Sequence, residues 1–263
     1  AAGNVINDYF DTRIDRINKP GQVIVGRTVK RRVAMLGHLV LSGTGLVIGA
    51  FVAYHSGAFR LVVIPAFAIS ALWMYSTVWK RRFLIGNTVV ALLAALVPLS
   101  VGLYEIPKDL VQHGFAMVDH GGFTVAEVDL YIRTLWTAII CYSAFAFLAT
   151  LVRELQKDMA DIKGDAADGC RTVPIVLGIT WAKAFALLYI AVIVAGVLAL
   201  RMLFLNDRLS YWYLGVAVLA PLLLSGGFTF GATDRKGFVL AGHLMKFAMV
   251  TAVGYAALIR YTL

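Results

Sequence analysis

Ala184-Phe185-Ala186-Leu187-Leu188-Tyr189-Ile190-Ala191-Val192-Ile193-Val194-Ala195-Gly196-Val197-Leu198-Ala199-Leu200 runs without a charged residue. A helix of about 20 apolar residues crosses the ~30 Å of hydrocarbon in a bilayer, and this stretch belongs to such a block, residues 173–200. Six further blocks share its character, at 33–54, 59–79, 83–104, 131–152, 209–230 and 238–259. The chain is 60% hydrophobic and only 15% charged, with a mean hydropathy of +0.80. A soluble globule of this length cannot hide that much apolar sequence. Small residues recur inside the blocks, among them Gly43, Gly45, Gly49, Ala91, Ala94 and Ala95, as close helix packing in lipid requires. A transmembrane β-barrel calls for short alternating segments, which are not visible. The expected fold is therefore all-α, a polytopic transmembrane helical bundle of seven full spans preceded by the end of another helix, with residues 1–263 forming one domain.

Basic residues mark the cytoplasmic ends of spans. The side of the N-terminal segment receives Arg13, Arg16, Lys19, Arg27, Lys30, Arg31 and Arg32, then Lys80, Arg81 and Arg82. Counting spans, Arg153, Lys157, Lys163, Arg171, Arg235 and Lys236 fall on the same side. The other side holds only Arg60, Lys108, Arg133, Arg201, Arg208 and Arg260, so the first side is read as cytoplasmic. This asymmetry accounts for most of the net charge of +9, and because its cations are tethered to span ends it argues against nucleic-acid binding. Cys141 lies in a span and Cys170 in a cytoplasmic connection, which disfavours a disulfide between them. Residues 105–129, mildly acidic and containing Gly114, Gly121 and Gly122, read as an outer loop, with or without a short surface helix. His38, Lys183, His243 and Lys246 are ionisable residues within or close to spans and so candidates to line a cavity, although Lys183 is near enough to a span end to snorkel.

Two acidic motifs share one spacing. Asp8, Asp11 and Asp15 form Asp-x-x-Asp-x-x-x-Asp, and Asp158, Asp161 and Asp165 repeat it. Offsets of three and seven place three carboxylates on one helix face, where like charges repel unless a cation binds among them. Oxygen ligands favour Mg²⁺ or Ca²⁺, and neither motif has the EF-hand spacing. Two acidic sets with a basic rim point to Mg²⁺ holding a diphosphate, both motifs being expected on one cytoplasmic-side cavity.

The residues Asn7-Asp8-x-x-Asp11-x-x-x-Asp15, with Ile17-Asn18-Lys19-Pro20 and Gly26-Arg27, resemble the first signature of the UbiA-type intramembrane prenyltransferases. The stretch Arg153-Glu154-x-x-Lys157-Asp158-x-x-Asp161-x-x-Gly164-Asp165, then Gly169-x-Arg171-Thr172-x-Pro174-Ile175, is similar to the second. Tyr75-Ser76, Lys80-Arg81 and Ile85-Gly86-Asn87 resemble the segment between them, and the chain departs from the pattern at Gly21-Gln22, where a further cation is expected. The second motif looks most like the geranylgeranylglycerol-phosphate geranylgeranyltransferase branch. The family has nine transmembrane helices, so the resemblance implies that the first and most of the second precede Ala1. A native extension of about 40–60 residues or a partner chain would supply them.

The resemblance implies a metal set of Asn7, Asp8, Asp11, Asp158, Asp161 and Asp165 around Mg²⁺. Lys19, Arg27, Lys80, Arg153, Lys157 and Arg171 would bind the diphosphate of a prenyl diphosphate. Tyr75, with Tyr9 and Phe10, would face the allylic cation, and Asp15 or Asp165 would take the acceptor proton. The acceptor would be a membrane lipid of the prenylglycerol-phosphate, ether-lipid type or, alternatively, an aromatic quinone or chlorophyll precursor. A transporter, or a non-catalytic membrane subunit of UbiA type, is the competing class. The 150-residue offset between the motifs is compatible with an internal duplication, but their position outside the span centres favours the enzyme.

Overall fold

The computed structural model describes residues 1–205 and 207–259, with only the backbone at Phe115 and Ile259; Arg260 lies outside them. The described residues form helices α1 (Ala2–Phe10), α2 (Thr12–Asn18), α3 (Arg31–His55), α4 (Val63–Thr77), α5 (Ile85–Asp119), α6 (Val125–Ala167), α7 (Val173–Val176), α8 (Ile179–Phe204), α9 (Arg208–Tyr213), α10 (Ala220–Gly231) and α11 (Arg235–Ile259). Among the described residues seven stretches are long and apolar enough to cross a membrane, and each overlaps one of the seven blocks read from the sequence. Among the described residues there is no strand, only a lone bridge between Val25 and Val29. Large apolar side chains point outward along the spans, Val47 and Val250 at 70% exposure and Met202 at 80%, as lipid-facing surfaces do. The chain is an integral, multi-pass membrane protein.

Two helix boundaries depart from the sequence reading. Residues 105–119 are not loop but the continuation of α5. Pro107 removes one backbone hydrogen bond without ending the helix, and Tyr104 ties this region down by donating its hydroxyl to the Leu61 carbonyl at 2.9 Å. The block at 173–200 is divided, because Gly178 takes φ +87°, a left-handed conformation that separates α7 from α8. Pro174 sits in the first turn of α7, where its missing N–H is no loss.

The contacts divide the chain into two compact units, residues 1–79 with 92–145 and residues 80–91 with 146–263. In the first, α1 packs on α3 and α4. His38, 3% exposed, contacts the Ala2 carbonyl through Nδ1 at 3.0 Å, and since a carbonyl can only accept, Nδ1 carries the hydrogen. Its ring lies against Trp73, 5.4 Å between centroids, so His38 is an anchor for α1. Helices α3 and α4 come so close at Gly49 that a Cβ there would meet the Pro65 ring at 2.6 Å. We expect Gly49→Ala to lower the thermal midpoint of the purified protein by several degrees, an overpacking cost of about 1–3 kcal/mol. An unchanged midpoint would contradict this close approach.

In the second unit α6, α10 and α11 are joined by a buried polar network. Gln156 donates from Nε2 to Ser225 Oγ and Thr229 Oγ1, each at 2.9 Å. Ser225 Oγ donates to the Ala241 carbonyl at 2.9 Å, and Thr229 Oγ1 to the Ser225 carbonyl at 2.7 Å. All three polar side chains are at most 1% exposed. A π-helical stretch, Leu214–Leu219, links α9 to α10. Just beyond it Pro221 has no N–H for the Ala217 carbonyl, and Thr251 Oγ1 donates to that oxygen from α11. Lys183 reaches the Phe230 and Ala232 carbonyls at 2.8 and 2.6 Å, closing the C-terminal end of α10. That cation serves the helix end instead of a cavity.

Candidate functional site

The first acidic motif is carried by α1 and α2. The sequence reading expects one unbroken helix face, but the helix is interrupted at Asp11, which adopts φ −82°, ψ 1°, in the bridge region. Backbone bonds nevertheless continue through it, Asp11 N–H to the Asn7 carbonyl and Asp15 N–H to the Asp11 carbonyl, both 2.8 Å. The effect is to sort the three carboxylates. Asp11 is 5% exposed and accepts from Asn7 Nδ2 at 2.6 Å. Asp8 and Asp15 instead line a polar cavity of about 200 Å³ with Lys19, Gln22 and the segment 23–25. Asn7 Oδ1 is buried and without a hydrogen-bond partner among the described residues, beside the Asp11 carboxylate. An orphaned oxygen next to a buried carboxylate is a donor set suited to a hard cation.

Arg27 is exposed in the turn after Ile24. Tyr75 is buried near the end of α4. Tyr9, expected to face an allylic cation, carries the Arg31 guanidinium 4.4 Å from its ring centroid, while Arg31 Nη2 donates to the Tyr9 carbonyl at 3.3 Å. Phe10 packs edge-on against Trp73, 6.1 Å between centroids.

The second motif lies on the C-terminal third of α6. Glu154, Asp158, Asp161 and Asp165 follow offsets of four, seven and eleven, so one face carries four carboxyl groups. A 43-residue helix is roughly 65 Å long, more than twice the hydrocarbon thickness, so this face belongs to the part of α6 past the apolar block. Glu154, Asp158 and Asp161 are held as follows. Glu154, 3% exposed, contacts Arg153 Nη2 and has Lys157 Nζ at 4.0 Å, with Lys80 near enough for its charge to act on it. Asp158 accepts from Asn87 Nδ2 at 2.8 Å. Asp161 meets Arg235 Nη2 at 3.4 Å.

Asn87 is aimed by an uncommon turn. Ile85 N–H reaches the Phe83 carbonyl at 2.7 Å and Leu84 between them has φ +60°, a strained γ-turn that starts α5. Arg81 holds Asp168 at 2.8 Å, and its carbonyl accepts from the Arg171 N–H at 3.0 Å. The Arg171 side chain is exposed. Sequence reasoning quoted Asn87 and Glu154 without assigning them roles and counted Arg235 only as a span-end charge. Their partners lie 71, 1 to 3, and 74 residues away respectively. Only Glu154, one helical turn before Asp158, carried a local signal.

Cys170 follows this motif and is 3% exposed. Burial, then the Asp165 and Asp168 carboxylates, push its thiol up to about 11. At pH 8 about one molecule in a thousand would carry the thiolate. We expect Cys170 to resist iodoacetamide in the folded protein at pH 8 and to react once denatured, read by peptide mass. Rapid alkylation of the native protein would refute the burial. His243 and Lys246 are both exposed on α11.

Among the described residues no three His, Cys, Asp or Glu side chains converge to cage an ion by themselves.

The family model described as the UbiA prenyltransferase family matches residues 1–250. Digeranylgeranylglyceryl phosphate synthase of Thermococcus kodakarensis is 31% identical over 255 residues, covering 96% of this chain and 78% of the relative. The protein of the same name from Methanothermobacter thermautotrophicus is 31% identical over 264 residues, with 97% and 79% covered. Two solved structures share the fold. A UbiA homolog from Aeropyrum pernix superposes with a TM-score of 0.63 at 16% identity, over 97% of this chain and 84% of that one. A structure of digeranylgeranylglyceryl phosphate synthase in membranes gives 0.59 at 20%, over 95% and 78%.

Proposed function

From its membership of the UbiA prenyltransferase family, to which this chain belongs, we propose that it transfers a prenyl group from a prenyl diphosphate to a prenylglycerol phosphate in the membrane. The observation that carries the reading is the acidic face of α6, where Asp158, Asp161 and Asp165 align beside Arg153 and Lys157. The relatives named as digeranylgeranylglyceryl phosphate synthases support the choice of acceptor.

In this reading Asn7, Asp8 and Asp11 on one motif, and Asp158, Asp161 and Asp165 on the other, hold Mg²⁺. A bound Mg²⁺ supplies Lewis-acid neutralisation of the leaving diphosphate. Lys19, Arg27, Lys80, Arg153, Lys157 and Arg171 bind phosphate oxygens through charge-assisted hydrogen bonds. Glu154 keeps Arg153 and Lys157 positioned while its own charge is compensated. Tyr75 lies beside the donor's allylic carbon. The C–O bond to diphosphate breaks and the electron pair leaves with the diphosphate. The acceptor hydroxyl oxygen bonds to the allylic carbon, and Asp15 or Asp165 takes its proton. Both motifs lie on the cytoplasmic side, as the distribution of Lys and Arg favours.

The test is incubation of the purified protein in lipid with labelled prenyl diphosphates of several lengths. Acceptors are prenylglycerol phosphates and aromatic quinone precursors, with Mg²⁺ or with EDTA. Labelled ether lipid formed only with Mg²⁺ is the expected outcome. Transfer to aromatic acceptors alone would replace the acceptor, and full turnover in EDTA would sink the metal assignment.

A further inference from the structure

We infer that Arg235 competes with the metal for Asp161 and moves onto the diphosphate when metal and donor bind. The inference rests on the proposed role of Asp161 and goes beyond it. Asp161 is 6% exposed, and a carboxylate so buried needs a compensating cation at every stage of a cycle. Arg235 provides one from the first residue of α11, through a single nitrogen at 3.4 Å. This contact is loose. A strong guanidinium–carboxylate pair is two-pronged and near 2.8 Å, and the Arg235 side chain is 41% exposed, so little holds it there.

The neighbouring carboxylate is treated differently. Asp158 is held by the Asn87 amide at 2.8 Å, a neutral donor that does not compete with a cation. Arg235 does compete, since guanidinium and metal both seek the Asp161 oxygens. Once a divalent ion satisfies Asp161, Arg235 is released beside an incoming polyanion that needs cations. Its planar fork suits phosphate oxygens. Asp234 accepts from the Gly237 N–H at 3.0 Å and fixes the start of α11, so only the Arg235 side chain has to move.

The experiment uses the full chain in detergent and two probes, Mn²⁺ alone, counted as free ion by electron paramagnetic resonance, and inorganic diphosphate at saturating Mg²⁺, by calorimetry. In Arg235→Gln, Mn²⁺ alone is expected to bind more tightly, by up to about fivefold, because a competing ion pair has gone. Diphosphate is expected to bind about tenfold or more weakly, through loss of a charge-assisted bond. Arg235→Lys should recover part of both changes, and it stands in for the Gln variant should that one fail to fold by circular dichroism. Weakening of both ligands together, or no change in either, overturns the exchange. If the unaltered protein binds no diphosphate in Mg²⁺, the metal–diphosphate reading itself fails and this inference with it.

Discussion

Asp161→Asn is expected to lower prenyl transfer by at least about a hundredfold while leaving the protein folded. Residues that merely orient a metal ligand cost 10–100-fold when replaced, so loss of a ligand begins near the top of that range. The change removes one negative charge from a residue 6% exposed and leaves a neutral amide of the same shape facing the Arg235 guanidinium. Packing is conserved, so the thermal midpoint should move little. Asp11→Asn should behave alike in activity for a related reason, since Asn7 Nδ2 already donates to Asp11 Oδ2 at 2.6 Å. In that variant two amides meet where an amide met a carboxylate, and flipping one restores their hydrogen bond without restoring the charge. Initial rates over a Mg²⁺ titration decide the matter. Turnover within threefold of the unaltered protein in either variant would show that the carboxylate carries no metal.

These two carboxylates also show how far the sequence could be read. Offsets of three and seven picked out both triplets, because helical spacing is a local property. The seven spans were legible for the same reason, since an apolar run long enough to cross a bilayer needs no knowledge of neighbours. Helix ends were not, because α5 and α6 at 35 and 43 residues continue past the apolar block into polar sequence that still favours helix. The break at Asp11 was invisible, as hydrophobic periodicity cannot register one residue with ψ near zero. Partners supplied from afar, Asn87 to Asp158 and Arg235 to Asp161, required the tertiary structure.

Gln156→Ala is expected to destabilise the protein by about 3–4 kcal/mol, and Gln156→Leu by only about 1 kcal/mol. Both variants lose the two hydrogen bonds from Nε2 to Ser225 and Thr229. Interhelical hydrogen bonds in membrane proteins average about 0.6 kcal/mol each, so the pair accounts for the smaller figure. Neither hydroxyl is stranded, because Ser225 still donates to the Ala241 carbonyl and Thr229 to the Ser225 carbonyl. Leucine also removes Gln156 Oε1, which is buried without a hydrogen-bond partner among the described residues, and that gain offsets part of the loss. Alanine deletes most of a side chain 1% exposed, and the cavity left among α6, α10 and α11 adds about 2–3 kcal/mol. Unfolding with SDS in mixed micelles measures both. Equal costs for the two variants would mean that hydrogen bonding, not volume, holds these helices together. Gln156 lies two residues before Asp158, so the rotation of α6 that presents the acidic face rests on this contact. Donor KM in Gln156→Leu should therefore rise about threefold to tenfold although the protein stays folded, a modest positioning loss. An unchanged KM would show that other contacts set the rotation of α6.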